Sequence, residues 1–349
     1  MNQARVKLSG LEANASSAHS LYEAMLGKFN QAQGQDDIQT PDSRIISRAQ
    51  VPRTPSSPNK TRDIEIAFGI GIVAGFLLAL FIERTDVGFR TSAQVEGVLG
   101  IPVLGSVPEM GGAGKSVTSV VDRVVKKPMS SFAESIRGIQ FGLLLSNVDT
   151  KPRVVLVTSS IPGEGKTTLA ISLARVAARN NQRVIIVDCD LRRPSVAKTL
   201  MLEHGKFSLV DVLTGGASVP DIIVKDSLSE AMVLPTRAVK SNAPDLLSSQ
   251  AMEKLIVALR GACDLVVIDS APLIPVNDTR VLARLVDTVI FAARWEKTPR
   301  AAIQRAVRVL RDVGAPIAGI VLTRANAKRF QYYNYGYQTY YTYKKYYND

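Results

Sequence analysis

The chain has 349 residues, 46% of them apolar and 21% charged, which is enough for one sizeable hydrophobic core or two smaller ones and excludes global disorder. A formal net charge of +12 calls for an acidic partner surface, whether nucleic acid, an anionic membrane face or a phosphorylated ligand. Two cysteines, Cys189 and Cys263, are too few for a disulfide framework, and their place in strand-like runs fits a reducing compartment.

In chain order, Leu8, Leu11, Ala15, Ala18, Tyr22, Met25 and Phe29 recur at spacings of three and four. They predict a heptad seam: one arm of a coiled structure, or a plain amphipathic helix on a core. Pro52, Pro55 and Pro58 then preclude helix and favour an extended lead. From Ile66 to Ile82 there is no charge, and this run predicts a membrane-spanning helix of roughly 25 Å. Gly71 and Gly75 form a GxxxG pair on it. Arg44, Arg48, Arg53, Lys60 and Arg62 before the span outnumber Arg84 and Arg90 after it, so a positive-inside count puts the N-terminus in the cytoplasm. The C-terminal half overrides that count: IPGEGKTT (Ile161 to Thr168) reads as a phosphate loop, and a nucleotide-using domain with free thiols belongs where ATP is, which leaves the first sixty residues periplasmic. Residues 84–127 read as a cytosolic connector. Its GGAGKS (Gly111 to Ser116) only imitates a phosphate loop, because Glu109 stands where the first glycine belongs and no long β run leads into it.

A stronger signal begins at Arg153. RVVLVTSS, IPGEGKTT and LAISLARVAARN give strand, glycine loop and helix in the order a phosphate site requires. Gly163 and Gly165 let the backbone wrap a phosphate, Lys166 reaches the β and γ groups, and Thr167 offers a hydroxyl to Mg²⁺. Ser160, Glu164 and Thr168 complete the expected nucleotide-binding loop, with Ser160 replacing the usual first glycine. Two later strands end in acids, Asp188 and Asp190 in RVIIVDCDLRRP and Asp269 in CDLVVIDSAP. In an open parallel sheet all three face the ligand crevice, where one acid holds the metal and another takes a proton, unless one of them simply caps a helix. Arg192 and Arg193 steady phosphate charge or sit at the surface. Runs at AMVLPTR, DTVIFAARW and IAGIVLT add three strands, and the expected domain is a doubly wound α/β sheet with flanking helices.

Nine of the ten tyrosines lie in the last eighteen residues: Tyr332, Tyr333, Tyr335, Tyr337, Tyr340, Tyr341, Tyr343, Tyr346 and Tyr347. Such a tract cannot build a core. As a kinase substrate it would gain about 13 to 18 negative charges, enough to reverse the sign of the chain. Together these features predict an autophosphorylated switch.

The combination resembles the bacterial tyrosine kinases fused to polysaccharide co-polymerases of exopolysaccharide or capsule export. The resemblance rests on the Pro-rich entry to the membrane helix, SSIPGEGKTT, VIIVDCDLRRP, VVIDSAP, NAPDLLSS (Asn242 to Ser249) and the tyrosine cluster. It implies ATP and Mg²⁺ as cofactors, with Lys166 and Thr167 on nucleotide and metal. Asp188 and Asp190 would serve metal and tyrosine, Arg192 would assist, and Asp269 would complete the metal site. It also implies a bacterial inner-membrane protein whose homo-oligomeric ring phosphorylates tails between neighbours. Its partners would be polysaccharide polymerase and export machinery, a tyrosine phosphatase and the anionic membrane, with no nucleic acid. Glu134 and Arg137 match a ring-contact helix, although Gln140 replaces its last arginine. The family's earlier membrane helix and long periplasmic stretch would precede residue 1. The domains expected are 1–62 periplasmic, 63–83 membrane helix, 84–127 connector, 128–330 kinase and 331–349 tail. The rival expectations are a P-loop ATPase of the partitioning type without kinase chemistry, and a nucleotide-binding scaffold that regulates chain length.

Overall fold

The computed structural model describes residues 2–36, 58–85, 88–110, 117–146, 151–203, 205–239, 242–326, 329–330 and 333. The proline-rich stretch 51–57, GGAGKS at 111–116, Tyr332 and the tyrosines from Tyr335 onward lie outside the described residues. Two compact units are present, Met1–Phe76 and Leu77–Asp349.

The first unit holds helix α1 (Asn2–Asp36) and most of α2 (Lys60–Thr85). The seam residues Leu8, Leu11, Tyr22, Met25 and Phe29 of α1 are all exposed. In α2, residues 60–80 have a mean hydropathy of 2.0 and none of the apolar stretch is buried within the protein, so the helix is long and apolar enough to cross a membrane.

The second unit continues with α3 (Ser92–Leu99), β1 (Val103–Pro108), α4 (Val117–Lys126), α5 (Ser131–Leu145), β2 (Val154–Ser159), α6 (Lys166–Arg179) and β3 (Val184–Asp188). Next come α7 (Val196–Thr199), α8 (Leu209–Leu213), α9 (Val219–Ile222), β4 (Val224–Lys225), β5 (Met232–Leu234), α10 (Ala243–Leu247) and α11 (Gln250–Ala262). The described regular elements end with β6 (Leu265–Asp269), α12 (Asp278–Leu282), β7 (Thr288–Arg294), α13 (Arg300–Asp312) and β8 (Ile317–Ala325). The strands form one sheet in the order β1-β8-β7-β2-β6-β3-β5-β4, parallel except where β4 meets β5. Strands β2, β3 and β6 are buried at every residue, as continuous Val and Ile runs require in a sheet covered on both faces. One face packs on α4, α5 and α6 through Val121, Phe132, Ile136, Leu169 and Leu173. The other packs on α3, α8, α11 and α13 through Val95, Leu209, Met252, Ile303 and Leu310. The doubly wound α/β architecture is therefore present.

The segment expected to be a connector differs from expectation. Its β1 pairs in parallel with β8, with Val103 opposite Ile320 and Ser106 opposite Leu322. Gly319 makes the approach possible, since a Cβ there would lie 2.7 Å from the Pro102 carbonyl oxygen. Helix α4 is held by the 1% exposed Arg175 of α6, whose guanidinium reaches Asp122 at 3.0 Å and Asp226 at 2.8 and 2.9 Å. The folded domain thus includes residues well before 128, and the connector supplies its edge strand.

Candidate active site

Strand β2 delivers the chain to a loop, residues 160–165, and α6 starts at Lys166. Gly163 and Gly165 both have φ of +85°, a left-handed backbone that side chains disfavour, so the two glycines are required by the turn itself. The amides at the start of α6 have no helical acceptors and form, with the loop, a cradle for an anion. Lys166 donates to Asp190 Oδ2 at 3.0 Å and lies 3.9 Å from Asp269 Oδ1. Thr167 donates to Asp269 Oδ2 at 2.6 Å and sits 2.8 Å from the Ser195 hydroxyl. Three stretches distant in sequence therefore meet at one point: the loop with the start of α6, the segment running from the end of β3 to the turn before α7, and the end of β6.

Burial and the mutual charges of one lysine and three carboxylates set the electrostatics of the site. Burial works to lower the Lys166 pKa, but the charges of Asp269, Asp190 and Asp188 outweigh it and hold the ammonium protonated. Burial raises Asp269, against the opposing influence of Lys166 and Thr167. Burial and the neighbouring Asp269 charge push Asp188 up to about 8. Asp269 Oδ1 is buried with no hydrogen-bond partner, an orphaned carboxylate oxygen beside the Thr167 hydroxyl. An all-oxygen pair of this kind suits Mg²⁺, which takes one or two protein oxygens and fills its remaining positions with phosphate and water. A cavity of about 550 Å³ opens over this point, lined by Gly163, Lys166, Thr167, Asp190, Arg192 and Pro272 among others. Beside it a hollow of about 220 Å³ is walled by Val107, Pro108 and Met110 of the connector, with Phe132, Thr168 and Arg324.

The expected site residues do not all converge. Lys166, Thr167, Asp190 and Asp269 do, and Thr168 borders both cavities. Asp188 accepts the backbone amides of Asp190, Ser195 and Val196 at 3.0–3.2 Å, so it ties down the loop carrying Asp190 and Ser195, which is the capping role considered for one of the acids. Glu164 was expected to help bind nucleotide, but its side chain points into the protein at 1% exposure. One of its oxygens accepts from Ser160 Oγ and the Ile161 amide at 2.8 and 2.7 Å, and the other from the Thr298 hydroxyl and the Arg294 amide. Ser160 is likewise fully buried. Arg192 lines the larger cavity while its Nε donates to Asp278 at 2.7 Å. Arg193 lines the same cavity. Arg137 donates to Glu134 and to the Pro128 carbonyl. Gln140 is buried at 6% exposure on Gln182 and Asn180, so it faces inward. Sequence reasoning missed Ser195, although it directly follows the RRP that ends the second motif. It also missed Met110 and Arg324, for which no local signal exists.

Residues 153–314 match a family model described as an AAA domain. The chain is 30% identical to the succinoglycan biosynthesis transport protein ExoP of Rhizobium meliloti over 94% of its own length, and spans 45% of that relative. It is 28% identical to the tyrosine-protein kinase YwqD of Bacillus subtilis over 60% of its length and 88% of the relative. Among solved structures, the VpsO kinase domain is 32% identical with a TM-score of 0.51, covering 56% of this chain and 100% of the solved one. With the loop, the second acidic motif and the Asp269 strand assembled on the same sheet, the chain belongs to the family of P-loop bacterial tyrosine kinases.

Proposed function

We propose that the chain is an ATP-dependent protein-tyrosine autokinase of exopolysaccharide or capsule export. The reading has α2 crossing the bacterial inner membrane, α1 on the periplasmic side, and the α/β domain and tail in the cytoplasm. One observation carries it: a Lys166, Thr167, Asp190 and Asp269 cradle occurs in the same chain as nine clustered tyrosines. Neither a partitioning ATPase nor a passive scaffold has a use for that tail.

Nucleotide phosphates drawn to the loop amides take Lys166 from Asp190 to the β and γ groups. Asp190, released at the cavity wall, accepts the proton of an incoming phenol. The γ-phosphorus then bonds to the phenolic oxygen, its bond to the bridging oxygen breaks, and ADP leaves. Thr167 and Asp269 would hold Mg²⁺, which when bound offsets the phosphate charge. Asp188 fixes the loop bearing Asp190, and Arg192, held by Asp278, adds positive charge at the rim. The smaller hollow beside Thr168 suits the nucleobase, with Met110 as its apolar wall. The tail of one subunit enters the site of the next in a homo-oligomeric ring, with Glu134 and Arg137 on the contact helix. Polymerase and export partners, a resetting phosphatase and anionic lipid complete the proposed setting. The test is site-resolved phosphotyrosine on the full chain given ATP and Mg²⁺, with Lys166→Met as control.

A further inference from the structure

Of the expected acceptors, Tyr333 lies among the described residues, and it packs on a platform at the edge of the α/β unit. The loop between β7 and α13 forms a platform on which two distant segments meet. Connector residues 88–90 lie on one side: the Trp295 indole donates to the Arg90 carbonyl at 3.0 Å, the Glu296 amide to the Phe89 carbonyl at 3.1 Å, and Arg300 to the Gly88 carbonyl at 3.0 Å. The approach is so close that a Cβ on Gly88 would lie 2.3 Å from the Glu296 carbonyl carbon, and Glu296 itself has φ of +56°.

The root of the tail lies on the other side. Asn326 starts a turn by accepting the Phe330 amide on its carbonyl and the Arg329 amide on its side chain. Phe330 meets Trp295 edge-on at 6.2 Å, and Arg329 pairs with Glu296 at 3.0 Å. Tyr333 tilts against Trp295 at 6.5 Å beneath the Arg90 guanidinium, which is 5.4 Å from the ring centroid and donates to the phenolic oxygen at 3.4 Å.

We propose that Arg90 and Trp295 withhold Tyr333 from phosphoryl transfer, making it a clasp that holds the tail root on the connector and leaving modification to the tyrosines beyond it. The inference rests on the kinase reading. Transfer needs the phenolic oxygen in line with the γ-phosphorus at about 3–3.5 Å, with a base to take its proton. At the platform the oxygen instead meets a guanidinium, which accepts no proton. Arg90 and Trp295 are thus specificity-determining residues for the proposed reaction.

The full chain in membranes is incubated with ATP and Mg²⁺, and the occupancy of each tyrosine is followed by mass spectrometry. Tyr333 should lag the other tail tyrosines about tenfold, and Arg90→Ala should erase most of that lag, as expected for a cation–π and aromatic clasp. Arg90→Lys, which keeps the charge but loses the planar stack, should erase it in part. Nitration by tetranitromethane, mapped in the absence of ATP, reads the same clasp independently of kinase activity. Slow nitration of Tyr333 in the parent chain and faster nitration in Arg90→Ala support the clasp even if no tyrosine is phosphorylated, an outcome that would count against the kinase alone. Nitration of Tyr333 at the rate of its neighbours, or equal phosphorylation from the start, overturns the proposal.

Discussion

Replacing Glu164 by alanine tests whether the phosphate loop is bolted to the β7–α13 turn from within. The carboxylate serves four donors, but they are not equally dependent on it. The Arg294 amide also reaches Thr298 Oγ1 at 3.0 Å, and the two hydroxyls can rotate, so the Ile161 amide is the group left stranded. An orphaned donor costs about 1–3 kcal/mol, and the one lost methylene adds about 0.8 kcal/mol, giving about 2–4 kcal/mol in all. For a domain of this size that lowers Tm by about 10 °C. Glu164→Gln keeps an oxygen for Ile161 and should cost only about 1 kcal/mol, or about 3 °C. Thermal melts of the full chain in detergent, with ATP affinity measured alongside, should rank parent, glutamine and alanine in that order, with affinity falling about tenfold in the alanine form as the loop loosens. An alanine variant that melts within about 2 °C of the parent and binds ATP equally would refute the internal bolt.

Two further outcomes follow from the buried and surface ion pairs. Arg175→Met leaves Asp226 and Asp122 without their shared cation and should cost about 3–5 kcal/mol by denaturant midpoint, with Asp226→Asn added to it recovering part of the loss. Hydrogen bonds from Arg183 hold Asp264 at about 2, below its ordinary 3.8. Because the folded pKa is the lower one, the stability this pair contributes is complete above about pH 4 and is lost as pH falls toward 2. A Tm-against-pH profile should show that acid limb, and Arg183→Ala should flatten it.

What the sequence discloses here is local. The unbroken Val and Ile runs of β2, β3 and β6 announce buried parallel strands, and GEGKTT announces a turn that only glycines close, because burial and backbone geometry leave a mark on neighbouring residues. Partner choice leaves none. VLGSVP of β1 mixes glycine and serine with few branched residues, and its pairing with β8 depends on a glycine more than two hundred residues later. Glu164 sits in the phosphate loop yet faces inward, since its acceptors are matched by Thr298 and Arg294 far along the chain. Asp188 and Asp190 look equivalent in VDCD, but only the fold shows one capping a loop and the other on Lys166. Tyr333 looks like every other tail tyrosine until Arg90, 243 positions away, is placed over it.

The most direct test of tyrosine kinase chemistry at Lys166 is mass-spectrometric mapping of the full chain after incubation with ATP and Mg²⁺, beside Lys166→Met. A kinase yields phosphate on several tail tyrosines that is absent from the methionine form. Steady ATP hydrolysis with an unmodified tail, or equal phosphorylation in both forms, contradicts it.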